Sequence, residues 1–104
     1  MEFSEIQDKV MQNAERYGKA CNIKIDEDFA ILKLYEEVGE LSQSLLIYRK
    51  KSRPEKFLPF EESKEQLAME MADVLGMLIV SAKLHNIDLE EAINKKWISN
   101  LKKE

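Results

Sequence analysis

Two short acidic clusters hold the residues of this chain best suited to chemistry: Glu36-Glu37-Val38-Gly39-Glu40 and Glu70-Met71-Ala72-Asp73. The second opens the most apolar run in the sequence, Met71 to Ala82. A carboxylate beside buried surface is costly unless its charge is compensated. Four or five convergent carboxylates also repel one another, and a hard divalent cation resolves both problems. Magnesium suits such a set, because it takes a few carboxylates and completes its octahedron with water and phosphate oxygens. Four acids would hold one or two ions. Two ions would clamp a phosphate and lower the pKa of a bound water, the two-metal logic of phosphoryl hydrolysis.

Spacing supports the convergence. Glu37 and Glu40 stand at i and i+3, as do Glu70 and Asp73, so each pair projects from one side of a helix. A single Glu in such a pattern is usually a solvated helix face. Asp73 fits that description least, because its neighbours through Ala82 are apolar or small. Two helices packed side by side would present the four acids across one cleft.

Four helices are predicted to position them. The first starts at Ser4, with Ser4 and Gln7 in a capping-box pattern, an apolar stripe of Phe3, Ile6, Val10, Ala14 and Tyr17, and Gly18 as its stop. The second starts near Asp26 or Asp28 and carries the stripe Ile31, Leu34, Val38, Leu41, Leu45 and Tyr48. At about 100° per residue, Glu37 lies beside this stripe, Glu40 further round the same side, and Glu36 almost opposite its centre. Residues 49–62 form a linker with Pro54 and Pro59 and the cations Arg49, Lys50, Lys51, Arg53 and Lys56. A solvated loop is the preferred account of that charge run, over a basic flap near a polyphosphate. The third helix follows Ser63 and Gln66 and is apolar all round, which predicts a central helix or one covered by a partner subunit. Asn86 ends it. The fourth has Asp88 as N-cap, Glu91 at N3 and Ile87 with Ala92 as a hydrophobic staple, and runs on through Ile93, Trp97 and Leu101. Trp97 and Tyr17 are read as core aromatics in preference to base-stacking residues.

Composition sets the frame. With 104 residues, 44% of them apolar and only 3 Gly and 2 Pro, the chain is expected to form one all-α domain, residues 1–104. A net charge of −4 speaks against nonspecific nucleic-acid binding. The lone Cys21 fits a reducing compartment, and one Cys with one His disfavours zinc. The N-terminal residues carry no secretory pattern and no apolar run is long enough to span a bilayer, so a cytoplasmic protein is expected, without membrane partners. The third helix has more apolar surface than three neighbours would cover. A homodimer or homotetramer is the expected remedy, with Met69, Met71, Val74, Met77, Leu78 and Leu84 as candidate contacts.

Glu36-Glu37-x-x-Glu40 followed by Glu70-x-x-Asp73 resembles the signature of the MazG-like, all-α nucleoside triphosphate pyrophosphatase superfamily. That group includes MazG proteins, dimeric dUTPases, dCTP pyrophosphatases and phosphoribosyl-ATP pyrophosphatases. The stretch from Asp73 through Asn86-Ile87-Asp88 to Ile93 looks like the family's third helix, turn and fourth helix, and Lys96-x-x-x-Asn100 like its downstream Lys and Asn. The resemblance implies a four-helix MazG-like protomer that completes a helical bundle with a partner subunit. It implies Glu37, Glu40, Glu70 and Asp73 as Mg²⁺ ligands, with Mn²⁺ as a substitute, Glu36 as a further ligand or a nearby acid, and Lys96 and Asn100 as phosphate or sugar contacts. Glu36 or Glu40 would take the proton of the attacking water, and the substrate would be a nucleoside triphosphate. The chain departs from many relatives in three places, the first being the 29 residues between Glu40 and Glu70, at the long end of the family spacing. Leu101-Lys102-Lys103-Glu104 replaces an Arg-Tyr-Pro element, with Lys103 in the Arg's place but lacking its bidentate fork. Gln12-Asn13-Ala14 stands where several relatives have a Trp.

Two rivals differ in chemistry. A di-iron bundle needs Glu-x-x-His pairs, and the only histidine, His85, does not follow a Glu at that spacing. A non-enzymatic helical interaction module would leave the acids as surface charge.

Overall fold

Each of the three long helices ends in the same way. In the computed structural model, which describes the backbone of residues 1–103 and the side chains of residues 1–101, α1 runs Phe3–Cys21, α2 Glu27–Tyr48 and α3 Phe60–Leu84. Asn22, Lys50 and Asn86 follow them with φ of 55° each. The next amide then reaches back to a carbonyl of the last turn: Ile23 N to Gly18 O at 2.8 Å, Lys51 N to Leu46 O at 2.7 Å and Ile87 N to Ala82 O at 2.8 Å. These are Schellman closures, which satisfy carbonyls that a helix end leaves unpaired. Two of the three use Asn, the residue after glycine most tolerant of left-handed backbone.

The chain divides into two compact units, Met1–Glu27 with Ile79–Glu104, and Asp28–Leu78. The described residues form helices, turns and loops, with no strand among them, as the composition predicts.

In the first unit, α1 begins at Phe3 with Glu2 at its N-cap and no side-chain cap. Ser4 therefore lies inside the helix and the expected capping box is not formed; Gln7 is buried instead. Gly18 does not stop α1, which continues to Cys21. Its role is close approach: a Cβ there would stand 2.6 Å from Ile25 Cγ1 and 2.8 Å from the Ile23 carbonyl oxygen. Lys83 Nζ donates to Asp8 Oδ1 at 2.7 Å, linking the end of α3 to α1. Ile79, Val80 and Ala82 are the buried apolar residues of this unit. Asp88 caps α4, Leu89–Ile93, by accepting from Glu91 N at 3.0 Å, as its sequence predicts. The chain then widens into a π-helical turn, Asn94–Ile98, and tightens into a 3₁₀ stretch, Ser99–Lys103. Trp97 is 76% exposed and Tyr17 is also exposed, so neither is the core aromatic its spacing suggests. The side chain of Lys103 lies outside the described residues.

The second unit is the α2–α3 hairpin with its connecting loop. The loop holds a single 3₁₀ turn, Pro54–Lys56. Tyr48 and Phe60 close the hairpin, their ring centroids 5.6 Å apart at 40°. The capping pattern read at Ser63 is displaced: α3 starts at Phe60, and the buried Ser63 donates its Oγ–H to the Phe60 carbonyl at 2.9 Å.

The inward face of α2 is rotated by about half a residue, roughly 50°, from the predicted apolar stripe, with which it shares Leu34, Leu41 and Tyr48. Ala30, Glu37 and Ser44 are buried and Leu34, Leu41 and Tyr48 half-buried, whereas Ile31, Val38 and Leu45 are exposed. The true seam steps 30, 34, 37, 41, 44, 48, the alternating spacing of four and three that packs one helix along another. On α3 the same spacing runs through Ser63, Leu67, Glu70, Val74 and Met77, all buried or half-buried. Glu37 and Glu70 therefore occupy seam positions, not the edge of one.

Candidate metal centre

Antiparallel packing of α2 on α3 brings the acid pairs together. Glu37, Glu40, Glu70 and Asp73 each offer a carboxylate oxygen, and these four atoms lie within 4.8 Å of one another. Glu37 is buried and Glu70 half-buried; Glu40 and Asp73, one turn further along their helices, are exposed. Glu37 Oε2 and Glu70 Oε2 are shielded from solvent and have no hydrogen-bond partner among the described residues.

The electrostatics reflect this crowding. Burial, the charges of Glu40 and Asp73, and a hydrogen bond with Glu40 push the Glu37 carboxyl up to about 7, against an opposing pull from Lys33. Burial, together with Glu40 and Asp73, likewise raises Glu70. Two carboxyls whose charged forms are disfavoured by burial and by two neighbouring carboxylates form a site short of positive charge. All donors are hard oxygens with no Cys or His among them, which suits Mg²⁺, Mn²⁺ or Ca²⁺ better than zinc or copper. The orphaned inner oxygens are where such an ion would be held, so the residues fit the metal.

The other sequence-predicted residues are not among these four. Glu36 is exposed and its Oε1 accepts from Lys33 Nζ, whose ammonium also stands 3.8 Å from Glu37 Oε1. Lys96 and Asn100 belong to the first unit, in the π and 3₁₀ turns, and both are exposed. Two residues beside the acids escaped the sequence reading. Lys33, one turn before Glu37, is marked by its i, i+3 and i, i+4 spacing to Glu36 and Glu37. Ser44, buried with an unpaired Oγ, is marked only by the 4-3 seam.

A helical hairpin with four converging carboxylates could hold a hard cation. Residues 26–103 match the MazG nucleotide pyrophosphohydrolase domain, and the chain belongs to that family. Searches of curated proteins and of solved structures returned no match. Family membership points to nucleotide pyrophosphohydrolase activity, and the acid cluster is compatible with the metal dependence general in the family. No helix among the described residues is long and apolar enough to cross a membrane.

Proposed function

We propose that the chain is a Mg²⁺-dependent nucleoside triphosphate pyrophosphohydrolase that cleaves the α–β phosphoanhydride to give a nucleoside monophosphate and pyrophosphate. The observation that carries this reading is the convergence of Glu37, Glu40, Glu70 and Asp73 within 4.8 Å. These four residues would hold the ion or ions, with Mn²⁺ able to substitute. Bound metal would neutralise the triphosphate and acidify a water. Glu40, on the exposed rim, is the better placed acid to accept the water's proton, since Glu36 is engaged by Lys33. Lys96 and Asn100 would contact phosphate or sugar, as in the family signature. The biological role would be removal of noncanonical nucleotides or control of a nucleotide pool in the cytoplasm, by a single 1–104 domain.

A homodimer or homotetramer accompanies this reading. Leu32, Tyr35, Leu46, Met69, Met71 and Leu75 are all at least 47% exposed on α2 and α3, more apolar surface than a soluble monomer ordinarily leaves uncovered. Sedimentation at micromolar concentration tests it, and a monomer there would refute it.

A panel of (d)NTPs with pyrophosphate detection, with and without Mg²⁺, tests the activity. Metal-dependent release of pyrophosphate is expected. Phosphate release instead, or no turnover of any nucleotide, would overturn the reading. An interaction module would give no turnover and no thermal stabilisation by metal with a nonhydrolysable analogue.

A further inference from the structure

Among the described residues, Lys33 is the cation that forms an ion pair with a member of the four-carboxylate group. Its Nζ donates to Glu36 and stands 3.8 Å from Glu37 Oε1, with about one third of its side chain exposed. Glu36 and Glu37 thus share one ammonium, one acid outside the group and one at its buried floor. The i, i+3 and i, i+4 spacings make this geometry a property of α2 alone, independent of any other element.

We propose that Lys33 is the acid group's own counter-cation and a contact for the phosphates of the substrate, tethered at the edge of the site by Glu36. This rests on the metal-dependent reading given above. Without a divalent ion, the ammonium offsets part of the negative charge on Glu37. A divalent ion held by the four carboxylates would take over that compensation and repel the ammonium. Glu36, which is not one of the four, would keep the displaced side chain beside the site. A triphosphate then supplies fresh anionic oxygens beside a lysine already desolvated in part and held in place. Charge-assisted hydrogen bonds of this kind are among the stronger polar contacts. The role also accounts for Glu36, which shares the first acidic cluster but not the group of four.

The test uses Lys33→Met, which keeps the aliphatic stem and good helix propensity, with Lys33→Arg as the charge-preserving control. Mn²⁺ binding is measured by electron paramagnetic resonance at low salt without nucleotide, and an α,β-methylene nucleoside triphosphate is then titrated into the Mn²⁺-saturated protein. Lys33→Met is expected to bind Mn²⁺ about five-fold more tightly, as removal of one nearby like charge implies. It should bind the analogue about ten-fold more weakly, the value of one lost charge-assisted hydrogen bond. Lys33→Arg should stay near wild type in both. Unchanged or weaker Mn²⁺ binding by Lys33→Met overturns the proposal, as does unchanged analogue affinity. A wild-type chain that binds no Mn²⁺ overturns the metal reading itself, and this proposal with it.

Discussion

Glu37 and Glu70 lie in the seams of their helices, whereas Glu40 and Asp73, one turn on, flank those seams and meet solvent. The same residue types at the same spacing therefore do different physical work. The inner pair is desolvated, and its Oε2 atoms have no hydrogen-bond partner among the described residues, which makes the metal-free site energetically unfavourable. The outer pair keeps its hydration and leaves the site open to a ligand. A floor that demands positive charge and a rim that admits it together favour a cation over a self-contained polar network.

Breaking the rim should have the largest effect. Glu40→Gln and Asp73→Asn are each expected to lower kcat/KM for pyrophosphate release by roughly 10²–10³-fold, the scale of losing one charge-stabilising group. Circular dichroism should show the fold intact, because both side chains are exposed. Undiminished turnover in both variants would refute the assignment.

Breaking the floor should separate stability from activity. Glu37→Gln removes a buried charge, so metal-free Tm should rise by several degrees while activity falls. The pH dependence carries the same information. Glu37 titrates at about 7 in the folded chain against 4.5 in its ordinary environment. Between those values the folded state holds a proton that the unfolded state releases. Raising the pH through that window therefore lowers metal-free stability, by roughly 1–3 kcal/mol, and the loss is complete above it. Urea unfolding at pH 5 and pH 8 checks the sign. The wild-type difference should shrink in Glu37→Gln and when saturating Mg²⁺ is present.

The smallest effect is expected two turns beyond Glu37 along the α2 seam. Ser44 is buried and its Oγ has no partner among the described residues. Ser44→Ala should stabilise the metal-free chain by about 1 kcal/mol, from the lost unsatisfied hydroxyl and better helix propensity. Destabilisation in urea would show that the hydroxyl has a partner, such as a buried water, and that the floor is better satisfied than Glu37 and Glu70 suggest.

Much of this was legible in the residues. The two i, i+3 acid pairs, the all-helical class, the Asp88 cap and the break at Asn86 are local matters, set by spacing, propensity and side-chain chemistry within a turn or two of helix. Other features were misread for one recurring reason. On α2 the apolar spacing predicts a stripe of Ile31, Leu34, Val38, Leu41, Leu45 and Tyr48, of which Leu34, Leu41 and Tyr48 are half-buried but Ile31, Val38 and Leu45 are exposed. The seam that is buried includes Ala30, Glu37 and Ser44, which hydropathy alone marks as weak core candidates. Ser4 and Ser63 fit capping patterns yet lie inside helices that begin earlier, because a cap pattern competes with whatever residues precede it. Gly18 looked like a helix stop, and its use is steric, which only the approach of Ile25 and the Ile23 carbonyl reveals.

The sequence by itself determined which acids can share a helix face and that four of them could meet a hard cation, because helical periodicity fixes side-chain direction within one element. Only the tertiary structure decided which acids are desolvated and which stay wet, because burial depends on the rotation of each helix against its neighbour. About half a residue of rotation on α2 moves Glu37 from the edge of a stripe to the middle of a seam. That rotation turns a pair of acidic motifs into a floor and a rim.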